Sequence, residues 1–292
     1  MRTFLSRIKN YFSLVRFSHT VFAMPFALIG FSLAVSQTEF SFSLRLLLLI
    51  ILCMIFARNA AMGFNRIADS RFDALNPRTK NREIPQGVIS ARAATIFVIV
   101  NACLFILTTA FINRLTLSLS PVALLIVLGY SFTKRYTSLC HFILGLGLSL
   151  APIGAYISVT GSFAVLPVIY SFIVLTWSSG FDIIYSLQDD YFDRNQELKS
   201  MPSAIGLKGA LATSIIVHFI TFCFVITAGY LGHAGILFWV GALLFTSLLI
   251  YQHAIVKHND ISRVNLAFGT TNGIASLIFA FFVILDLYLR HH

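Results

Sequence analysis

The sequence predicts an all-α polytopic membrane protein with nine transmembrane helices in one bundle. Hydrophobic residues make up 58% of its 292 residues and charged residues only 11%, far below the roughly one quarter that soluble domains contain. The mean hydropathy of +0.85 agrees with this composition. Soluble, disordered and fibrous classes are therefore excluded.

Nine apolar runs are long enough to cross a bilayer, which takes about 20 residues per helix. A helix satisfies its own backbone hydrogen bonds, so separate apolar segments of this length are expected to cross as helices. The first run ends in small residues that resemble a leader cleavage site, but eight further runs favour a true first helix. The runs cover residues 19–35, 44–64, 91–112, 115–132, 139–160, 163–187, 209–231, 234–255 and 264–289.

The distribution of Lys and Arg predicts the orientation. With a cytoplasmic N-terminus, 17 of the 21 cations fall on the cytoplasmic side, three fall on the other side, and Arg58 lies inside the second run. Cytoplasmic loops of membrane proteins carry such an excess. The sequence therefore predicts a cytoplasmic N-terminus and a C-terminus on the opposite side. We attribute the net charge of +10 to loop cations that orient the chain in the lipid membrane, and not to the binding of nucleic acid.

The acids carry more information than the cations. Eight of the eleven lie in two stretches, one after the second run and one around the end of the sixth. Asn65, Asp69 and Asp73 follow one another at intervals of four residues, and Tyr185, Asp189 and Asp193 repeat this spacing 120 residues later. On a helix such spacing forms one row. The repetition indicates a weak internal duplication, with halves at roughly residues 1–138 and 139–292.

Two carboxylate rows at cytoplasmic helix ends predict a cytoplasmic-facing active site. Carboxylate oxygens favour Mg²⁺, which keeps waters and substrate phosphates in its coordination shell. Metal ions held by both rows can bridge a diphosphate, while Lys and Arg neutralise its other oxygens. A metal in this position activates a diphosphate as a leaving group. A single such row is usually only a solvated helix face, but two rows at equivalent helix ends favour function.

These motifs resemble those of the UbiA superfamily of intramembrane aromatic prenyltransferases. The first row is similar to the first motif of that family and the second row to its second. The segment from Tyr130 to Thr137, which contains Lys134 and Arg135, is similar to a third stretch. The nine-run layout also matches, so the resemblance covers the whole chain, and it places the chain near the 4-hydroxybenzoate polyprenyltransferase-like group.

The resemblance implies Mg²⁺-dependent transfer of a polyprenyl group from polyprenyl diphosphate to an aromatic carboxylic acid in a bacterial inner membrane. It implies that one Mg²⁺ binds Asn65, Asp69 and Asp73, and that a second binds Asp189 and Asp193. The cations expected to contact the diphosphate are Arg82, Lys134, Arg135 and Lys199.

The base that removes the ring proton stays open among Asp182, Asp189 and Asp190. Asp182 lies about two turns inside the sixth run, where an ionisable group is costly and therefore a functional candidate. The alternative to a functional role is that Asp182 forms a structural ion pair with Arg58, which lies at similar depth in the second run. The residues proposed to contact the acceptor are Arg16, Tyr130 and Tyr185.

One position departs from the family pattern, because Arg66 stands where the first motif usually has Asp. The departure leaves two acceptors open: 4-hydroxybenzoate, for ubiquinone biosynthesis, and a dihydroxynaphthoate, for menaquinone biosynthesis. It also makes an inactive binding relative conceivable. A secondary transporter is the alternative from another class, although transporter sites usually lie near the midplane of the membrane. The sequence does not predict an oligomeric state.

Overall fold

The computed structural model describes residues 11, 13–14, 22–36 and 38–290. Arg16, one of the residues expected to contact the acceptor, lies outside them. The described residues form helices, and their one β-type pairing is an isolated bridge between Lys257 and Asp260. The α-helices are α1 (Met24–Ser36), α2 (Leu44–Ala68), α3 (Ser70–Leu75), α4 (Ala91–Ala110), α5 (Arg114–Thr133), α6 (Cys140–Thr160), α7 (Val165–Ser186), α8 (Asp190–Asn195), α9 (Met201–Leu231), α10 (Ile236–Ile255) and α11 (Asn272–Arg290). A 3-10 turn, Leu187–Asp189, joins α7 to α8, and a π-helix, Leu266–Thr271, leads into α11.

Eight helices of the described chain are long and apolar enough to cross a membrane. They correspond to the second through ninth predicted runs, which confirms the predicted polytopic all-α class. The helix in the first run, α1, has 13 described residues, which span about 20 Å at 1.5 Å per residue. A ninth crossing therefore stays a prediction.

The protein core lies where α1, α6, α7, α9, α10 and α11 meet. Trp177 and Phe181 of α7 are almost fully buried there, together with Phe26, Phe245 and Phe279. Small residues allow the helices to approach closely. A Cβ at Gly145 of α6, for example, would lie only 2.6 Å from the carbonyl oxygen of Leu175.

By contrast, α2, α4 and α5 bury few of their residues against protein. Together with α6 and α7 they surround a cavity of about 550 Å³. Thr116 and Tyr130, both on α5, line it, and their separation of 14 positions corresponds to about 21 Å of helix. The cavity thus extends through most of the membrane depth, and its polar end lies beside the two carboxylate motifs.

Candidate active site

Both motifs bend the chain at their first aspartate. Helix α2 ends at Ala68, and Asp69 (φ −92°, ψ 2°) precedes the six-residue helix α3. Asp189 (φ −102°, ψ 1°) likewise precedes the six-residue helix α8. The sequence predicts a continuous helical row, so the break is a difference from that expectation. The aspartate four residues after each break, Asp73 in the first motif and Asp193 in the second, is buried.

In the first motif, local hydrogen bonds join the amide to one carboxylate and an arginine to the other. Asn65 Nδ2 donates to Asp69 Oδ2 at 2.9 Å. Arg82 donates from one guanidinium nitrogen to both oxygens of Asp73, at 2.6 and 2.7 Å. Arg135 lies 3.8 Å from Asp69 Oδ1 and donates to the carbonyl oxygen of Ala68 at 2.6 Å.

In the second motif, residues from the first half of the chain hold the first carboxylate. Arg78 donates to both oxygens of Asp189, at 3.0 and 2.5 Å. Asn76 Nδ2 donates to Asp189 Oδ1 at 3.0 Å. Arg78 also donates to the hydroxyl of Tyr185 at 2.8 Å. A bidentate guanidinium–carboxylate contact fixes geometry as well as charge.

The second carboxylate of this motif, Asp193, is fully buried. Lys134 Nζ lies 2.8 Å from its Oδ1, and Ser200 Oγ donates to its Oδ2 at 2.8 Å. The backbone N–H of Lys199 donates to the carbonyl of Lys134 at 2.7 Å. Lys134 follows α5, so residues of the first half contact both carboxylates of the second motif. The two motifs therefore form one cluster.

The cluster is electrostatically balanced, and its cations are held in the charged form. Burial alone would lower the pKa of Lys134 and of Arg78, but their carboxylate partners Asp193 and Asp189 raise both. Burial and the neighbouring charge of Asp73 raise the pKa of Asp69 to about 6, against the opposing effect of nearby cations. The nearby cations thus compensate the charge of Asp69 only in part.

The cavity opens beside this cluster and changes character along its length. Asn65, Arg66, Arg82 and Tyr185 line its polar end, while most of its remaining wall is aliphatic or aromatic. Arg66 is buried against this space. A cavity with a charged end and a long apolar wall suits a substrate with a polar head and an apolar tail.

Asp182 and Tyr130, both predicted site residues, face the cavity. Asp182 Oδ2 lies 2.7 Å from His141 Nδ1. His141 Nε2 lies 3.2 Å from the backbone nitrogen of Met201, which can only donate, so His141 Nε2 accepts and Nδ1 carries the proton. Asp182 therefore accepts from His141. Arg58, the alternative partner considered from the sequence, lines the same cavity.

The structure brings most of the predicted site residues together. The cluster or the cavity wall contains Asn65, Asp69, Asp73, Arg82, Tyr130, Lys134, Arg135, Asp182, Tyr185, Asp189 and Asp193. Lys199 contributes a backbone contact, and its side chain is exposed. Asp190, which is half-buried, pairs with the exposed Arg194.

Sequence reasoning missed several members of the site. Asn76 and Arg78 lie in the Asn-Pro-Arg-Thr segment after the first motif and are not among the residues predicted from the sequence. Their signal is a cation and an amide in a Pro-containing loop directly after a carboxylate row. His141 is not among the predicted residues either, and its signal is a lone imidazole one residue into an apolar helix.

The donor set fits Mg²⁺. No three Asp, Glu, His or Cys side chains within the described residues are close enough to form a closed metal cage. Mg²⁺ usually binds one or two carboxylates and completes its octahedron with waters and substrate phosphates. Asp69 with Asn65 and Asp73, and Asp189 with Asp193, supply such oxygen ligands in two incomplete sets.

A helical membrane bundle with two carboxylate motifs at the mouth of a long apolar cavity defines a class of intramembrane enzyme that acts on lipid-like substrates. Residues 23–284 match the UbiA prenyltransferase family. The chain belongs to this family and is an integral membrane prenyltransferase. This confirms the resemblance seen in the motifs.

Curated relatives align along most of the chain. The 4-hydroxybenzoate octaprenyltransferase of Nitrosomonas eutropha is 31% identical over 237 residues, which are 80% of this chain and 82% of the relative. The enzyme of the same name from Nitrosomonas europaea is 30% identical over 246 residues, covering 84% and 83%.

Solved structures share the fold. A UbiA homologue from Aeropyrum pernix K1 in its apo form superposes with a TM-score of 0.79 at 29% identity, covering 93% of this chain and 98% of that one. A UbiA homologue from Archaeoglobus fulgidus, bound to DMAPP and Mg²⁺, gives a TM-score of 0.76 at 20% identity, with coverage of 96% and 99%. The second likeness supports the fold alone.

Proposed function

We propose that this protein transfers a polyprenyl group from polyprenyl diphosphate to an aromatic hydroxy acid, in a Mg²⁺-dependent reaction that releases diphosphate. The observation that carries the proposal is the cluster of paired carboxylates and cations at the polar end of a cavity that crosses most of the membrane. The names of the curated relatives favour 4-hydroxybenzoate as the acceptor. A dihydroxynaphthoate is the second acceptor to test, because Arg66 departs from the family motif.

Two sets of residues would hold Mg²⁺: Asn65, Asp69 and Asp73 on one side, and Asp189 and Asp193 on the other. When bound, the metal polarises the diphosphate oxygens and lowers the cost of the charge that develops on the leaving group. The Archaeoglobus fulgidus homologue, which shares the fold, is bound to DMAPP and Mg²⁺, and this favours Mg²⁺ as the metal.

Arg82, Lys134 and Arg135 would bind the diphosphate. Each forms an ion pair with a carboxylate of the two motifs. If that carboxylate held a metal ion, the paired cation would be available to the diphosphate oxygens. Lys199, which is exposed, is proposed to join them at the entrance.

The acceptor would lie deeper in the cavity, near Tyr130, Tyr185 and Asp182. Arg58 and Arg66 supply positive charge along the same wall, where an acceptor carboxylate can bind. Arg16, outside the described residues, stays a predicted acceptor contact.

Cleavage of the C–O bond leaves an allylic cation and diphosphate. The ring carbon ortho to the hydroxyl attacks this cation, and a base then removes the ring proton to restore aromaticity. We assign this base to Asp182, because His141 orients one of its oxygens while the side chain faces the cavity. Asp189 is held by Arg78 and Asn76, and Asp190 pairs with Arg194 and does not line the cavity, which makes both poorer candidates.

The same proposal places the site at the cytoplasmic face of a bacterial inner membrane, with a cytoplasmic N-terminus. The excess of cations on one side supports this orientation. The bacterial sources of the curated relatives support the membrane assignment.

Purified protein in detergent tests the proposal directly. It is incubated with polyprenyl diphosphate, Mg²⁺ and a panel of hydroxybenzoates and hydroxynaphthoates, and products are identified by mass spectrometry. A prenylated aromatic acid that disappears with EDTA is the expected result. Absence of product with every acceptor, from protein that remains folded, would refute the enzyme function and leave the transporter or an inactive relative.

A further inference from the structure

The last transmembrane helix enters the bundle through a π-helix rather than a plain α-helix. The segment Leu266–Thr271 has this wider turn and runs directly into α11. A π-turn inserts one extra residue, which rotates the preceding side chains by about 100° relative to a continuous α-helix of 3.6 residues per turn. Such turns are frequently found at functional sites.

The cause is a buried amide network centred on Asn272. Asn272 Nδ2 donates to the carbonyl oxygens of Ala267 and Phe268, at 2.9 and 3.1 Å. These are backbone acceptors within the π-helix, so the side chain directly supports the wider turn. Gln252 of α10 pairs with Asn272 through both amides, at 2.9 and 3.2 Å.

The orientation of the Asn272 amide is determined by Trp177. The indole N–H can only donate, and it lies 2.9 Å from Asn272 Oδ1, so the NH₂ group must face the π-helix. Asn272, Gln252 and Trp177 are all fully buried. Buried amides are costly unless every one is bonded, and a fully bonded network selects one arrangement.

The consequence is the position of Phe268. Its ring stacks on Tyr185 with centroids 4.0 Å apart and an interplanar angle of 28°. It also makes an edge contact with Phe181 at 5.4 Å and another with Phe22 at 5.5 Å. All four rings line the substrate cavity near its polar end, and Tyr185 accepts the hydrogen bond from Arg78 that links this wall to Asp189.

We propose that Asn272, held by Gln252 and Trp177, is a positioning residue that keeps Phe268 stacked on Tyr185, and that this aromatic wall keeps water from the reacting allylic carbon. The inference rests on the proposed prenyl transfer. Aromatic faces stabilise a cation without offering it a nucleophile. Water that reaches the allylic cation adds through its oxygen, loses a proton and gives prenyl alcohol in place of the prenylated acid.

The test measures the ratio of prenyl alcohol to prenylated acid, which a purely structural role of Asn272 would leave unchanged. Asn272→Asp keeps the acceptor for Trp177 but turns an oxygen toward two carbonyls, and Asn272→Leu removes the network. We expect each to raise the alcohol fraction about fivefold, the size of losing one cation–aromatic contact. Phe268→Leu should do the same with the amide network intact.

Thr221→Val is the matched control. Thr221 is fully buried and bridges α9 to α7 by donating to Thr176 at 2.9 Å, without contacting the π-helix. It should lower the melting temperature to a similar degree while keeping the wild-type product ratio. The double variant Asn272→Leu/Phe268→Leu should match Phe268→Leu alone, because Asn272 acts through Phe268.

The outcomes separate the two proposals. If the wild-type protein forms no prenylated acid, the proposed function fails. If the wild-type protein transfers the prenyl group and the Asn272 variants keep its product ratio, the positioning role is overturned. Should both Asn272 variants fail to fold, Phe268→Leu alone still decides whether the aromatic wall excludes water.

Discussion

Asp189 is the carboxylate that depends most on its neighbours, because Arg78 and Asn76 together donate three hydrogen bonds to it. Asp189→Asn keeps the size of the side chain but removes its charge. We expect kcat/KM to fall by at least ~100-fold, because a metal ligand is lost and the Arg78 guanidinium is left without its partner. The measurement is the steady-state rate of prenyl transfer at saturating Mg²⁺.

The matched control is Asp260→Asn. Asp260 is a fully exposed acid in the loop after α10, where Ser262 donates to it. It should keep the wild-type rate. Wild-type activity in Asp189→Asn would contradict the assignment of the second metal site.

Asp69 gives a prediction about pH. Burial and the charge of Asp73 raise its pKa to about 6, and Mg²⁺ binds only the deprotonated carboxylate. Protons should therefore compete with metal as the pH falls through 6, so the Mg²⁺ concentration for half-maximal activity should rise as the pH is lowered from 8 to 5. Titration of Mg²⁺ at each pH measures this. A half-saturating concentration that stays constant over that range would rule out Asp69 as a ligand whose protonation limits binding.

The sequence did not predict which particular side chains pair with each other. The spacing of Asn65, Asp69 and Asp73 identified carboxylates that act together, since spacing along one helix is local information. It did not indicate that Arg78 would reach Asp189, because those residues are 111 positions apart and meet only when the two halves pack. Charge balance requires a cation for each buried acid. The sequence contains many Lys and Arg residues, and only the fold determines which of them contacts a given acid.

At the scale of elements, a side-chain hydrogen bond joins His141, at the start of α6, to Asp182, about one turn before the end of α7. His141→Leu removes the donor that orients Asp182. We expect kcat to fall about 10- to 100-fold with little change in KM for polyprenyl diphosphate, because the base loses its alignment and the diphosphate site is untouched. The measurement is kcat and KM for both substrates.

The control for this prediction is a double-mutant comparison. If His141 acts through Asp182, Asp182→Asn and the double variant Asp182→Asn/His141→Leu should have the same kcat. Additive losses would show that His141 acts independently of Asp182, and the proposed orientation of the base would fail.

The elements themselves were well predicted where hydrophobicity alone determines them. The second through ninth runs each contain a helix of spanning length, since an apolar run in lipid has no other way to satisfy its backbone. The breaks at Asp69 and Asp189 were not predicted, because residues such as Ile67 and Phe72 continue the helical pattern on both sides. The matching breaks support the predicted duplication, which itself stays a prediction. The π-helix before α11 depends on contacts of Asn272 with other helices, and a local pattern cannot indicate it.

At the scale of the whole molecule, the cluster connects the two halves of the chain. Asp193, buried in the second half, is neutralised by Lys134 of the first, and Asp189 is held by Arg78. Removing one partner of a buried ion pair leaves an uncompensated charge, which costs far more than the pair contributes. The cavity is walled by helices of both halves, so closing this contact also shapes the substrate site.

The proposed orientation of the bundle rests on 17 cations on one side against three on the other, and it can be tested residue by residue. The four native cysteines, Cys53, Cys103, Cys140 and Cys223, are first replaced by Ala. Single cysteines are then introduced at the exposed positions Glu39, Lys80 and Ser162. Because Glu39 and Ser162 lie in loops on the side opposite the motifs, a membrane-impermeant maleimide should label Glu39→Cys and Ser162→Cys in intact bacterial cells.

Lys80→Cys, in the loop after the first motif, should react only after the membrane is permeabilised, and it is the internal control for labelling from the other side. The reverse pattern would overturn the orientation and place both carboxylate motifs outside the cytoplasm, where cytoplasmic polyprenyl diphosphate could not reach them. Prenyl transfer is measured for each cysteine variant, so that only variants that are active, and therefore folded, are compared. The labelling therefore tests whether the side of the membrane with more loop cations is the cytoplasmic side. It also tests whether the proposed active site lies on that side, where its substrate is made.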